Sequence, residues 1–175
     1  GARFVARGID VHKNLPDVLK AAHAHKGTSF IEIFQNCIVY NKDVFEEFAA
    51  KKTAADTQLH LVNGEPMLFA KGEKGITLNR KTLQLEVVDV ADGDWEAAGV
   101  IVHDVTNRSV AHMLVEMQFG AFPMALGVLY DDPRPTFEAA VVAQNIASSA
   151  GKKPDLQGLL NKGQTWTVTE DGPEL

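Results

Sequence analysis

The pattern that most constrains this fold is a strand, a helix and a second strand near the start of the chain. Residues 3–7 and 28–34 are short apolar runs typical of strands, and residues 14–26 carry apolar side chains at helical spacing. Asn14 is a suitable N-cap for the helix, and Gly27 is a suitable end. Strands joined by a helical crossover are parallel. The sequence therefore predicts a βαβ unit.

The chain changes character after residue 41. Residues 42–58 combine a short helical pattern with a charged, alanine-rich run, which is typical of a connector. From residue 59 onward, short apolar runs with a period of two alternate with turn signals. We predict an α/β protein in which 1–41 is the last βαβ part of a doubly wound parallel sheet, 42–58 is a connector, and 59–175 is a mixed α+β extension. The elements expected in the extension are strands at 84–90, 100–104, 126–130 and 164–168, and helices at 109–118, 136–149 and 155–160.

Composition disfavours several classes of protein. The chain is 45% hydrophobic and 23% charged, as in ordinary globular proteins. Its net charge of -6 disfavours a nucleic-acid binder, which normally shows a basic stripe. The uncharged run from Ala121 to Tyr130 is far shorter than the roughly 20 residues of a membrane-spanning helix. A single cysteine rules out an internal disulfide, so we expect a cytoplasmic protein. From the charge and the short apolar runs, we expect no nucleic-acid and no membrane partner.

The first residues suggest that the chain is a fragment. It does not begin with Met, and it opens directly on the strand-like run of residues 3–7. Parallel strands are normally covered on both faces. We therefore expect the strands at 3–7 and 28–34 to expose apolar surface where the rest of their sheet is missing.

Cys37, the only cysteine, follows the second strand of the βαβ unit. In open α/β sheets, ligands bind just beyond the carboxyl ends of the strands. An iron–sulfur cluster typically takes about four thiolates, so Cys37 cannot hold one alone. Two interpretations stay open: Cys37 is a small buried apolar residue, or it is a ligand whose partner cysteines lie outside these residues.

Histidines form two further candidates. His23 and His25 are two positions apart on the predicted helix, so their side chains diverge and are not expected to share a metal. His103 and Asp104 follow a predicted strand and could form an acid–base pair. The simpler interpretation is an ordinary hydrogen-bonded histidine, because no nucleophile is signalled near the pair.

Carboxylates offer two more candidates, each with a structural alternative. Glu32 lies between Phe30 and Phe34 on one strand face and could do proton chemistry, or it could pair with a cation. Asp131 and Asp132 precede a proline-rich turn and are most simply solvated turn residues. The sequence contains no phosphate loop and no hydrolase or zinc motif, so we assign no catalytic residue.

Three segments resemble a known enzyme family. Residues 1–7, 15–22 and 25–37 closely resemble the β subunit of 2-oxoacid:ferredoxin oxidoreductases. The 2-oxoglutarate branch is the best match, because residues 27–37 read GTSFIEIFQNC. Weaker similarities follow in the same order and extend the resemblance over nearly the whole chain. They are Asn63-Gly64-Glu65-Pro66-Met67, Leu85-Glu86-Val87-Val88, His103-Asp104 and Arg134-Pro135-Thr136-Phe137.

The resemblance implies a specific chemistry. Such enzymes oxidatively decarboxylate a 2-oxoacid with coenzyme A, and the 2-oxoglutarate branch yields succinyl-CoA and CO2. The β subunit binds thiamine diphosphate with Mg2+ and a 4Fe–4S cluster, works with an α subunit, and passes electrons to ferredoxin. Residues 1–41 would be the end of the thiamine-diphosphate-binding domain. By the same resemblance, Cys37 is the fourth cluster ligand, and the amides of Ile38 and Val39 are candidate donors to the cluster.

The chain departs from the family pattern in what it lacks. The three other cluster cysteines, the GDG-type segment and the downstream Asn that hold the cofactors are absent. They are expected upstream of Gly1, so the chain alone is expected to be inactive. Two alternatives stay open: the same family acting on pyruvate or another 2-oxoacid, and a non-catalytic α/β subunit-interaction domain in which Cys37 belongs to the core.

Overall fold

The computed structural model describes residues 2–10 and 13–174. They form two compact units, one up to Pro135 and one from Thr136 onward. The first unit contains, in order, β1 (Phe4–Ile9), α1 (Leu15–Ala24), β2 (Ser29–Phe34), α2 (Glu46–Ala49), α3 (Ala54–Thr57), β3 (Gln58–Leu61), β4 (Leu68–Phe69), β5 (Lys74–Leu78), β6 (Leu85–Asp89), α4 (Arg108–Glu116) and β7 (Met124–Asp131). The second contains α5 (Phe137–Ser149), α6 (Leu156–Leu160), β8 (Thr167–Thr169) and β9 (Gly172–Glu174).

The larger sheet has the strand order β2-β1-β7-β3. β1 and β2 are parallel, with Phe4 opposite Ser29 and Ile9 opposite Phe34, and α1 connects them. The predicted βαβ unit is therefore confirmed, and so is the α/β class. β7, however, pairs with β1 in antiparallel orientation and with β3 in parallel orientation. The described sheet is mixed, and it joins strands from both sides of the expected connector at 42–58.

α1 packs on one face of this sheet. Its buried side chains Val18 and Ala22 contact Phe4 and Ala6 of β1. Asn14 precedes the helix as expected but makes no capping hydrogen bond with its side chain. The helix ends at Ala24 because the backbone of the next residue is extended. This packing fixes β1 and β2 beneath the crossover and sets the direction in which β2 leaves the sheet.

The second sheet is an antiparallel meander of β4, β5 and β6. Its side chains join those of β3, α4 and β7 in the largest core, which includes Leu59, Ile76, Leu114 and Leu129. The predicted strand at 100–104 is wrong. That segment makes only isolated bridges, because Ile101 N–H donates to Ile76 and His103 N–H donates to Glu65. The segment bonds to β5 and to the residues before β4, and it forms no continuous ladder with either.

The remaining helices begin within about two residues of their predicted starts. The side chain of Asn107 accepts hydrogen bonds from Ser109 and Val110 N–H at the start of α4. Thr136 Oγ1 accepts from Ala139 N–H at 3.2 Å and caps α5. The closing strand, predicted at 164–168, lies at 167–169 and pairs with β9. Among the helices of the described chain, none is long and apolar enough to cross a membrane.

The expected exposure of apolar surface holds for β2 and is wrong for β1. Phe30 and Ile33 of β2 are exposed, whereas Phe4, Ala6 and Ile9 of β1 are buried. The reason is the pairing of β1 with β7, which places β1 inside the sheet. Within the described residues, β2 is one of the two edge strands of this sheet, and β3 is the other.

Candidate functional site

Cys37 lies three residues beyond the carboxyl end of β2, at the start of a tight loop. Asn41 N–H closes the loop by donating to the Cys37 carbonyl at 2.9 Å. Asn36 Oδ1 accepts from Asp43 N–H at 2.8 Å and ties the base of the loop to the segment that follows. The Cys37 side chain is exposed. The expected position near the sheet edge is confirmed, and the interpretation of Cys37 as a buried core residue is wrong.

The loop also stabilises the thiolate form of Cys37. Hydrogen bonds from the backbone amides of Tyr40, Val39 and Asn41 lower the pKa of the Cys37 thiol, and they outweigh a small opposing effect of desolvation. The amides of Ile38 and Val39 as donors to a bound cluster stay a prediction. The side chains of Ile38, Val39 and Tyr40 are solvent-exposed, so the thiol lies beside an apolar loop tip.

An aromatic cluster anchors the end of β2. Phe34, the last residue of the strand, packs against Phe45 and Phe48 with ring centroids 5.0 and 5.2 Å apart. Phe48 packs in turn against Phe119 at 5.1 Å. These contacts hold the strand end from which the Cys37 loop departs, so the position of the thiol depends on them.

Glu32 pairs with a cation, as its structural alternative predicted. Its Oε2 accepts from Arg7 Nε–H at 2.7 Å, in the register where the two residues lie opposite each other on β1 and β2. The Arg7 guanidinium also lies 5.6 Å from the Phe34 ring centroid. Sequence reasoning missed Arg7. Its alternation in phase with Glu32 on the paired strand was the available signal.

The candidate histidines are structural. His23 is exposed and His25 has a fully buried side chain, so the pair does not converge. His25 Nδ1 lies 2.8 Å from Asp131 Oδ1. Asp131 belongs to β7, so its assignment to a solvated turn is wrong. Asp132 accepts from Arg3 at 2.9 Å and is also bound by Arg134.

His103 and Asp104 do not form an acid–base pair. His103 is buried, and its Nε2 donates to the Val128 carbonyl at 2.8 Å. Burial lowers the pKa of His103 despite this hydrogen bond. Asp104 instead accepts from the backbone N–H and the hydroxyl of Thr106 at 2.9 and 2.7 Å. The ordinary hydrogen-bonded histidine is therefore confirmed.

No group of three or more His, Cys, Asp or Glu side chains is placed to hold a metal ion within residues 2–10 and 13–174. Cys37 fits the role of one ligand, since its thiol is exposed and backbone amides stabilise its thiolate. The chain has no second cysteine, so it can supply one of the roughly four thiolates that a cluster takes.

Comparison with known proteins gives one significant relative. No family model matches the chain, and no solved structure shows a significant match. The chain is 32% identical over 176 aligned positions to the 2-oxoglutarate oxidoreductase subunit KorB of Mycobacterium tuberculosis. The alignment covers 95% of this chain and 46% of the relative, so the chain spans about half the length of the protein it matches. This similarity to KorB agrees with the resemblance of the segment that leads to Cys37 to the β subunit of 2-oxoacid:ferredoxin oxidoreductases.

Proposed function

We propose that this chain is part of the β subunit of an enzyme that oxidatively decarboxylates 2-oxoglutarate with coenzyme A. The products are succinyl-CoA and CO2, and electrons pass through a 4Fe–4S cluster to ferredoxin. The similarity to KorB supports the enzyme family and the substrate. The single observation that carries the proposal is the exposed Cys37 thiol, whose pKa is lowered by the amides of Tyr40 and Val39.

In this proposal, Cys37 is one cluster ligand. A bound cluster supplies one-electron transfer, and its potential depends on hydrogen bonds to sulfur and on solvent exposure. The contribution of this chain is to hold the thiolate at the end of β2 and to direct backbone N–H groups at its sulfur. The other cysteines come from outside these 175 residues, because the chain contains no more.

The remaining cofactors and partners also lie beyond what this chain can supply. Thiamine diphosphate and Mg2+ are bound by residues outside it, and the chain alone is inactive. An α subunit is the expected protein partner. The exposed side chains of Ile38, Val39 and Tyr40 support a covered position for the loop in the assembled enzyme, because contiguous apolar surface marks interaction sites.

The test is Cys37→Ala in the intact enzyme that contains this chain. We expect its iron content and its ferredoxin reduction to fall at least about tenfold, because a first-sphere ligand is lost. Thiamine diphosphate binding, measured by calorimetry, is expected to persist. Gln35→Ala, an exposed change two residues earlier, is the matched control and is expected to leave iron content unchanged. Unaltered iron in Cys37→Ala would instead favour the subunit-interaction domain.

The substrate is tested separately on the wild-type complex. We expect kcat/KM with coenzyme A and ferredoxin to be higher for 2-oxoglutarate than for pyruvate. A preference for pyruvate or for a branched 2-oxoacid would retain the enzyme family and overturn the assigned substrate.

A further inference from the structure

A groove of about 470 Å3 lies between the start of β2 and helix α4. It lies on the sheet face opposite α1. Phe4 and Ala6 pack beneath α1, and side chains alternate along a strand, so Val5 belongs to the other face. Val5 lines the groove together with Phe30 of β2 and Val115 of α4. Phe30 and Val115 are 57% and 48% exposed in this chain.

Two arginines, Arg3 and Arg108, line the groove, and no carboxylate does. Arg3 is neutralised by Asp132, whose Oδ2 lies 2.9 Å from its Nη1. Arg108 donates from Nε to His112 Nε2 at 3.4 Å, and across the described parts of the chain it forms no ion pair with a carboxylate. In a chain with a net charge of -6, an arginine without an acidic partner beside an apolar groove marks a place for an anion.

We propose that this groove binds a small monocarboxylate with an apolar tail. The carboxylate accepts hydrogen bonds from the Arg108 guanidinium, whose planar fork matches it. The tail packs on Phe30, Val115 and Val5. The groove volume lies within the range of about 300–1,000 Å3 that is usual for small-molecule sites, which are mostly apolar with a few polar groups that orient the ligand. The inference is independent of the function proposed for Cys37, since it uses a different face and different residues.

The test compares three probes on the full chain: octanoate, octan-1-ol and acetate. Calorimetry gives the affinities, and amide chemical shifts locate the binding. We expect saturable binding of octanoate, with shifts at the amides of Phe30 and Val115. Octan-1-ol, which has the tail without the charge, is expected to bind about tenfold more weakly. Acetate, which has the charge without the tail, is expected to show no saturable binding.

Variants separate the two halves of the ligand. Arg108→Gln is expected to lower the affinity for octanoate about tenfold and to leave the affinity for octan-1-ol unchanged. Arg108→Lys is expected to keep most of the preference for octanoate over octan-1-ol. Arg80→Gln, an exposed arginine away from the groove, is the matched control and is expected to change neither. Phe30→Ser is expected to lower the affinities for octanoate and octan-1-ol equally. Val87→Ser on β6 is the control and is expected to change neither affinity.

Several results would overturn the proposal. Absence of saturable octanoate binding in the full chain is one, and it would favour another polypeptide segment as the occupant. Equal affinities for octanoate and octan-1-ol, shifts confined to other surfaces, or equal effects of Arg108→Gln and Arg80→Gln would do the same. Circular dichroism of each variant checks that the fold is retained, which is expected because Arg108, Arg80 and Phe30 are exposed.

Discussion

The sulfur of Cys37 is the single atom on which most of the proposed chemistry depends. The backbone amides of its loop favour the charged thiolate over the neutral thiol and so lower the pKa of Cys37. A lower pKa means a larger thiolate fraction at any pH below the ordinary value of about 8.5. The consequence is a reactive side chain whose behaviour can be measured without any cofactor.

We predict that Cys37 is alkylated by iodoacetamide with a pH midpoint below that of the same thiol in the unfolded chain. The rate follows the thiolate fraction, so the folded curve shifts to lower pH. The measurement is the alkylation rate against pH by mass spectrometry, with the chain in urea as control. Coincident folded and unfolded curves would contradict the role given to the amides of Tyr40 and Val39.

His103 is buried, so the folded chain disfavours its charged, doubly protonated form. Burial lowers the pKa of His103, so the unfolded state binds this proton at a higher pH than the folded state does. The stability associated with neutral His103 is therefore complete above the unfolded pKa of about 6.5 and is lost as pH falls below it.

We predict that wild-type chain loses stability between pH 7.5 and 5.5, and that His103→Gln loses less over the same interval. Glutamine can still donate to the Val128 carbonyl but does not titrate. Urea unfolding midpoints at the two pH values give the comparison. His112→Gln, an exposed histidine change, is the control and is expected to keep the wild-type slope. An unchanged slope in His103→Gln would show that other groups carry the pH dependence.

At the scale of elements, the aromatic cluster connects packing to the candidate site. Phe48 is buried between Phe34, Phe45 and Phe119, and Phe34 is the last residue before the segment that carries Cys37. Removing the central ring leaves a cavity at the point where β2 ends. The effect is therefore expected both in global stability and in the order of the loop.

We predict that Phe48→Ala lowers the free energy of unfolding by about 3–5 kcal/mol, the usual cost of a buried Phe→Ala change. Hydrogen exchange of the amides at 39–41 is expected to accelerate in the variant. Phe137→Ala, at a position that is 80% exposed, is the matched control and is expected to stay within about 0.5 kcal/mol of wild type. Wild-type exchange rates at residues 39–41 in Phe48→Ala would show that the aromatic cluster does not order the Cys37 loop.

The elements also show where sequence reasoning succeeds. The apolar spacing correctly predicts α1 and β2, but the helix ends at Ala24, before the glycine expected to end it, and Asn14 makes no side-chain cap. The position of Cys37 followed from the rule about strand ends. The pairing of β1 with β7 was not predicted, because nothing within either segment specifies a partner far along the chain. The strand expected at 100–104 is wrong because the segment forms only isolated bridges, Val100 with Thr77 and Val102 with Pro66.

At the scale of the whole molecule, apolar surface is concentrated in the second unit. Phe137, Val142 and Ile146 of α5 are exposed, and from Ala139 to Ser149 this helix carries no charge. Contiguous exposed apolar surface of this kind marks sites of interaction. No described side chain from Thr136 onward is buried. The isolated chain is therefore expected to associate with itself.

We predict that the isolated chain sediments as a concentration-dependent mixture and that the double change Val142→Glu and Ile146→Glu shifts it toward monomer. Added charge on the exposed helix makes its burial against another copy costly. Gln144→Glu adds charge at a polar position of the same helix and is the control. Sedimentation velocity at two protein concentrations gives the result, and a wild-type chain that is monomeric throughout would contradict it.

The place of β7 in the larger sheet has a consequence for how the protein is made. Strand β1 is synthesised well before its antiparallel partner β7, which ends at Asp131. The two edges of β1 are therefore completed at very different times during synthesis, and contacts of such long sequence separation form slowly. Until β7 is synthesised, one edge of β1 in the nascent βαβ unit has no partner strand, so this unit is a target for chaperones. The larger sheet beside Cys37 is complete only after β7 has been synthesised.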